Sequence, residues 1–333
     1  MHDQKTPAMY RFVLSIILID IYTLVTGQVI QGTVCDKETG EAIGFAGIYF
    51  DGTFTGTTSD ATGHFSLDIS KYPNRAPTIG AMGYFTRTFP EISVKSPNII
   101  CLVPRKFEIK EITVGAKSLV GERKNNMGYF RKEFLGTTLN GRSCEIVNEN
   151  DITFNYGSDD DTLVAYALAP LQIINRSLGY EITYYMDQFW YDRRSGSASF
   201  FGSIVYNKDL AAGFERGRIE RRRRNAYSGS CMHFFRTLWL DDLDDTPFKV
   251  ESSEGGRLEY TQIVTEGENG IKYLSYDVPL DVYYYSTWSR IEFIRDTIPF
   301  EETGFYDPHG ITWKGRMGDQ RAGDWLPYDY LPE

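Results

Sequence analysis

Residues 52–69, GTFTGTTSDATGHFSLDI, commit this part of the chain to a tight turn feeding a half-buried strand. Phe65, Leu67 and Ile69 alternate with His64, Ser66 and Asp68, the period of two that sets one face of a strand against a core and the other in water. The glycines, threonines and aspartates ahead of them have the composition of a loop that cradles phosphate or calcium. They also have turn chemistry: Asp60 can accept from backbone amides just ahead, and Gly63 can take a positive φ at the end of the hairpin. The alternation that follows favours turn over ligand loop.

The same rhythm surrounds this stretch. VIQGTV, the turn DKETGEAI, then GFAGIYF, APTIGAMGYFTRTF and NIICLVP are short apolar-alternating runs separated by turn residues, the pattern of an all-β sandwich. The aromatic share of 15%, with 23 tyrosines, suits strands and half-buried surfaces better than helices. A chain of 333 residues with 24% charged side chains has room for two modest globular domains. Its formal charge of −10 argues against a general nucleic-acid binder, which needs a positive surface to displace counterions from phosphates.

Residues 1–27 read as a signal peptide. Lys5 and Arg11 precede the apolar run FVLSIILIDIYTLV, and Val25, Thr26 and Gly27 offer a cleavage point before Gln28; Met9 is an alternative start. The run is short for a bilayer span and carries Asp20, so cleavage is expected rather than anchoring. The cleavage point lacks the cysteine of a lipid-anchored lipoprotein. Export places four cysteines in an oxidising compartment. Cys35 and Cys101, in the first and last strands of the sandwich, are a candidate disulfide; Cys144 and Cys231 follow in the next region. Free thiols at all four positions fit the sequence equally well, and no CxxC or CxxH spacing points to zinc.

VIQGTVCDKETGEAIGFAGIYFDGTFTGTTSDATGHFSLDI, continued by GAMGYFTRTF and NIICLVPRKFEIKEITVGA, resembles the carboxypeptidase-regulatory-like domain over residues 28–117. The resemblance implies a prealbumin-like sandwich of seven strands, an exported protein of the Bacteroidetes envelope and a modular interaction role. It does not imply peptidase activity. His2, His64, His233 and His309 have no Glu or second His at zinc-peptidase spacing, and G-x-S-x-G, P-loop and dinucleotide fingerprints are missing. The sequence therefore names no catalytic residue, no cofactor and no metal ligand. A hydrolase whose carboxylates are brought together only by the fold is the enzymatic reading left open.

Residues 118–333 read as an α+β domain. GERKNNMGYFRKEFLG places Phe130 and Phe134 at i,i+4 and ends at Gly136, as an amphipathic helix does. SDDDTLVAYALAP, with an acidic start and a proline finish, is expected to be a second helix. YEITYYMDQFWYD and SASFFGSIVYN read as strands paired around RRSG, and GRLEYTQIVTE, IKYLSYDVPLDVYYYSTWSRIEFIRD and GFYDPHGITWKGRMG as further strands. In FERGRIERRRRNAYSGSCMHFFRTLWLDDLDD, Ala226, Tyr227, Cys231, Phe234 and Leu238 keep the spacing of one long helix, with His233 in a packing role. Aspartates in SDDDT and DDLDD lack the fixed spacing of a calcium loop and read as helix caps. The aromatic tail RAGDWLPYDYLPE is expected to pack over the domain or contact a partner.

Two sets of residues are candidates for partner binding. Arg221, Arg222, Arg223 and Arg224 can meet lipid phosphates, a carboxylated glycan or an acidic protein, against the plainer reading of local pairing with Glu215, Glu220 and DDLDD. Tyr283, Tyr285 and Trp288 can form an aromatic platform for sugar rings. FRKEFLG, APLQIINRSLGYEITYY and RRRRNAYSGSCMHFF resemble a region found behind this β-domain in other envelope proteins of that bacterial group, one without an assigned activity. The expectation is a non-catalytic envelope protein of a Gram-negative bacterium. It binds, or assists assembly, beside an outer-membrane or periplasmic protein, and any membrane association runs through that partner. A glycan-binding module is the alternative.

Overall fold

In the computed structural model, residues 28–73, 75–105, 116–156, 161–267 and 270–332 are described. The expected leader, and Ser158, Asp159 and Asp160 of SDDDT, lie outside them. With 39% strand and 19% helix the molecule is β-rich, as the aromatic composition implied. No helix among the described residues is long and apolar enough to cross a membrane.

The alternating runs become β1 (Val29–Asp36), β2 (Gly47–Tyr49), β3 (Gly56–Thr58), β4 (His64–Asp68), β5 (Thr78–Gly80), β6 (Arg87–Thr88) and β7 (Asn98–Leu102). They form two sheets, β4-β1-β7 and β3-β2-β5-β6. Ile30, Val34, Phe65 and Ile100 from the first sheet meet Ile48 and Ile79 from the second in one core. The turn before β4 takes the form its residues dictate: the Asp60 carboxylate accepts from the Thr62 and His64 amides, and Gly63 sits at φ 79°. A Cβ on Gly63 would lie 2.7 Å from the Val34 carbonyl, so this glycine serves packing as well as conformation. β1 and β7 run parallel with Cys35 opposite Cys101, and the two sulfurs are bonded.

Behind the sandwich, α1 (Ala116–Phe130) runs into a wider π turn, Arg131–Leu135, that ends at Gly136 with φ 91°. Met127, Phe130 and Phe134 lie on one face and pack on a sheet of β8 (Cys144–Ile146), β9 (Ile152–Tyr156), β10 (Thr162–Ala167), β11 (Leu171–Asn175), β12 (Tyr180–Asp192) and β13 (Ala198–Asp209). β10 and β11 follow one another along one edge of β12, interrupted at residues 168–170, while β13 covers the other edge. The expected helix at TLVAYALAP is thus a strand. Leu163, Ala165 and Ala167 are buried, alternating with Thr162, Val164 and Tyr166, and both edges of the strand are paired. A short apolar run fits either period, and the waiting edge of β12 settles which one forms.

The expected long helix is two: α3 (Arg216–Tyr227) and α4 (Cys231–Leu240), following the one-turn α2 (Leu139–Arg142). Gly229 takes φ 73° and Ser230 caps α4 by accepting from the His233 amide at 3.0 Å, so the chain turns where helical spacing alone would have run on. α4 covers a second core made with β14 (Phe248–Ser252), β17 (Leu280–Tyr284), β18 (Thr287–Phe293) and β20 (Ile311–Gly315), which pair in that order. A smaller sheet joins β15 (Val264–Glu266), β16 (Lys272–Leu274) and β19 (Ile298–Phe300). GRLEYTQIVTE is only partly a strand, because a capping box of Glu259 and Gln262 winds Tyr260–Ile263 into one helical turn, α5, before β15.

Candidate functional site: a cleft shared by the sandwich and the region behind it

The turn between β2 and β3 reaches out of the sandwich and completes the other sheet. The Gly52 amide donates to the Ile204 carbonyl at 2.7 Å and the Tyr206 amide donates to the Thr53 carbonyl at 3.0 Å, adding a parallel bridge to the free edge of β13. Thr53 is fully buried, and Phe54 packs between Tyr180 and Tyr206. On the sandwich's own face, Tyr49 stacks on Tyr185 at 5.1 Å and hydrogen-bonds Ser203, while Asp187 joins Arg105 and Thr86. The stretch composed like a ligand loop is thus turn at one end and docking element at the other.

The C-terminal arm locks this arrangement. The Tyr328 amide donates to the Gly52 carbonyl at 2.8 Å, and the Asp329 carboxylate accepts from the Phe54 amide at 2.7 Å and the Tyr72 hydroxyl at 2.5 Å and pairs with Lys71. Burial works against ionisation here, yet the bonds from Lys71, Tyr72 and Phe54 hold the Asp329 carboxyl below the usual carboxylate range. Arg75 lies 3.8 Å from the Phe305 ring centre and donates to the Asp51 carbonyl at 2.5 Å.

Between these parts lies a cleft of about 490 Å³. Tyr184, Phe200, Ile204 and Tyr206 of the sheet form one wall, and Asp51 and Gly52 of the sandwich close one end. Ser230, Cys231 and Met232 come from the joint between α3 and α4, and Asp324, Trp325 and Tyr328 from the arm. Tyr306, His309 and Trp313 complete the opposite side. At the surface Phe201 and His309 stack with ring centres 5.6 Å apart and planes 13° from parallel. Trp325 lies 5.9 Å from Phe200, and the Trp313 indole donates to the Tyr306 hydroxyl at 3.1 Å.

The titratable groups of the cleft are unequal. Burial raises the Asp51 carboxyl above its ordinary value, partly offset by the Ile204 amide at 2.6 Å and by Arg75. Asp324 accepts from Thr138 and Asn140, both at 2.9 Å, and so anchors α2 to the arm. Burial pushes the Cys231 thiol up to about 12, which leaves too little thiolate at neutral pH for a nucleophile. The Tyr206 hydroxyl is buried and has no hydrogen-bond partner among the described residues. Among the described residues no group of three or more His, Cys, Asp and Glu could hold a metal ion.

Residues 30–114 match the family model described as CarboxypepD_reg-like domain, about a quarter of the chain. The chain carries a CarboxypepD_reg-like domain. No curated protein and no solved structure matches it. The CarboxypepD_reg-like domain contributes Asp51 and Gly52 to the cleft, and its Lys71 and Tyr72 hold the arm that forms the cleft's far side.

None of the residues singled out from sequence for partner binding lines this cleft, although Cys231 and His309 do. Arg223 is not part of a basic surface: it is 3% exposed, donates to the Leu178 and Gly179 carbonyls, pairs with Asp209 and Glu220, and lies 4.0 Å from the Tyr180 ring centre. One turn of helix takes four consecutive arginines through every direction, so one of them had to point inward. Arg221 and Arg224 are exposed and Arg222 is half-buried. Tyr283 and Trp288 are register partners on the outer face of their sheet, and Tyr285 is exposed at the hairpin tip with φ 52°. The Trp288 indole donates to Asp281, which also holds Arg290. His233 packs against Tyr227, Phe248 and Tyr284.

Sequence reasoning missed Asp51, Tyr206, Tyr306 and Trp325. Their only signal was Phe54, an aromatic in an otherwise polar turn, and the aromatic density of the tail.

Proposed function

We propose that this chain is an exported binding protein of a Gram-negative envelope, acting beside an outer-membrane or periplasmic protein and using the shared cleft as its ligand site. The CarboxypepD_reg-like domain supports the envelope part of the reading, and the construction of the cleft supports the ligand site. A preformed, largely aromatic cavity with a few convergent polar groups is the usual form of a small-ligand site, and about 490 Å³ falls within the common range of roughly 300 to 1,000 Å³. Binding accounts for its chemistry better than catalysis does. Asp324 is engaged by Thr138 and Asn140 as an anchor, and Cys231 is held as a thiol. Two carboxyls nevertheless line one cleft, Asp51 and Asp324, which is the one feature a hydrolase reading can use.

The test is fractionation of cells of the producing organism, followed by cross-linking and affinity capture from membrane extracts. Recovery in the periplasmic or outer-membrane fraction, with an envelope protein co-purifying, is the expected result. Recovery in the cytosol would overturn the location, and turnover of aryl glycosides or esters lost in Asp51→Asn would overturn the non-catalytic reading.

A further inference from the structure

We infer that the cleft takes a neutral saccharide, one or two pyranose rings, held between the Phe200–Trp325 wall and the Tyr306–Trp313 side. The inference rests on reading the cleft as the ligand site. A pyranose presents apolar C–H faces and a rim of hydroxyls, so its natural complement is aromatic walls with hydrogen-bonding groups set at their edges. The cleft has that form. Phe200, Trp325, Tyr306 and Trp313 supply ring surface, and Asp51, Ser199, Thr312 and His309 supply polar atoms around it.

Charge argues in the same direction. Among the described residues the one guanidinium lining the cleft is that of Arg321, whose Nη1 donates to the Gly318 and Gln320 carbonyls, and the carboxyls of Asp51 and Asp324 line the same space, which disfavours an anion. A purely apolar chain would have to bury the Asp51 carboxyl against hydrocarbon, at a cost that ligand hydroxyls avoid.

The experiment follows tryptophan fluorescence and calorimetry of the mature full-length protein, titrated with maltose, cellobiose, lactose and chitobiose, with decanoate as an apolar probe. Saturable binding of at least one disaccharide is expected, weakened roughly five- to tenfold by Trp325→Ala, which removes ring surface, and by Asp51→Asn. Asp51→Asn is the decisive variant, because it keeps the size of the side chain and changes only the acceptor, and an unchanged melting temperature will show that the fold is intact. Trp288→Ala, on the outer sheet face, should leave affinity unchanged. The inference is overturned if no disaccharide binds up to about 10 mM, if decanoate alone binds, or if Trp288→Ala abolishes binding while Trp325→Ala and Asp51→Asn do not. These outcomes are independent of where the protein resides, so failure here and failure of the envelope reading are told apart.

Discussion

His233 is held neutral by its surroundings. Its Nδ1 accepts from the Gly229 amide at 3.1 Å, which requires an unprotonated nitrogen, and burial among Tyr227, Phe248 and Tyr284, with Arg236 nearby, lowers its pKa to about 4. In the unfolded chain it titrates near its ordinary value of about 6.5. Unfolded protein therefore binds the extra proton between these values, and stability is full above pH 6.5 and falls as pH drops toward 4. Urea unfolding at pH 7 and pH 5 should reveal a loss of order 1 to 2 kcal/mol from this residue, after allowance for its partial exposure. His233→Phe should start lower and lose less across that interval. Arg223 makes a different prediction. Because its guanidinium is buried and serves two carbonyls and two carboxylates, Arg223→Ala should cost about 2 to 4 kcal/mol. Arg221→Ala and Arg224→Ala, on the surface, should stay within about 0.5 kcal/mol, as chemical denaturation will measure.

At the scale of elements, the joint between α3 and α4 decides where the second core sits. Gly229 has a positive φ, and a Cβ there would lie 2.6 Å from the Tyr284 ring. Gly229→Ala should therefore destabilise by about 2 to 3 kcal/mol, combining backbone strain with displacement of Tyr284. Gly128, in the interior of α1 with open space around it, should behave oppositely: Gly128→Ala is expected to stabilise by about 0.5 to 1 kcal/mol. Thermal melts of the two variants check both. Within the sandwich, β1 and β4 were readable from sequence because their residues alternate, and β4 has its own turn in Asp60 and Gly63. TLVAYALAP and RRRRNAYSGSCMHFF were not. The first fits two periods until β9 and β12 pair with it, and the second keeps helical spacing through a glycine that the fold uses as a corner.

At the scale of the whole molecule, one turn of the sandwich and the C-terminal arm join it to the region behind. Gly52 and Thr53 of the CarboxypepD_reg-like domain extend one sheet, and the arm fastens over the turn through Tyr328 and Asp329. Because the Asp329 carboxyl sits below its ordinary pKa, its contribution is full above about pH 4 and is lost as pH falls through the lower folded value. Asp329→Ala should loosen the clasp without unfolding either part. Hydrogen exchange is expected to quicken at the amides of Gly52, Phe54 and Tyr206 while β1 and β7 keep their protection; unchanged exchange at those three would mean that the arm is not the fastener. An all-β sandwich, the amphipathic helix ending at Gly136 and the β12–β13 hairpin were legible in the residues, since each follows from local period and turn chemistry, while the count of seven strands came from the family resemblance. Only the tertiary structure decided the cleft. Asp51, Tyr206, Tyr306 and Trp325 are far apart along the chain, and no local pattern marks residues whose shared property is the space left between them.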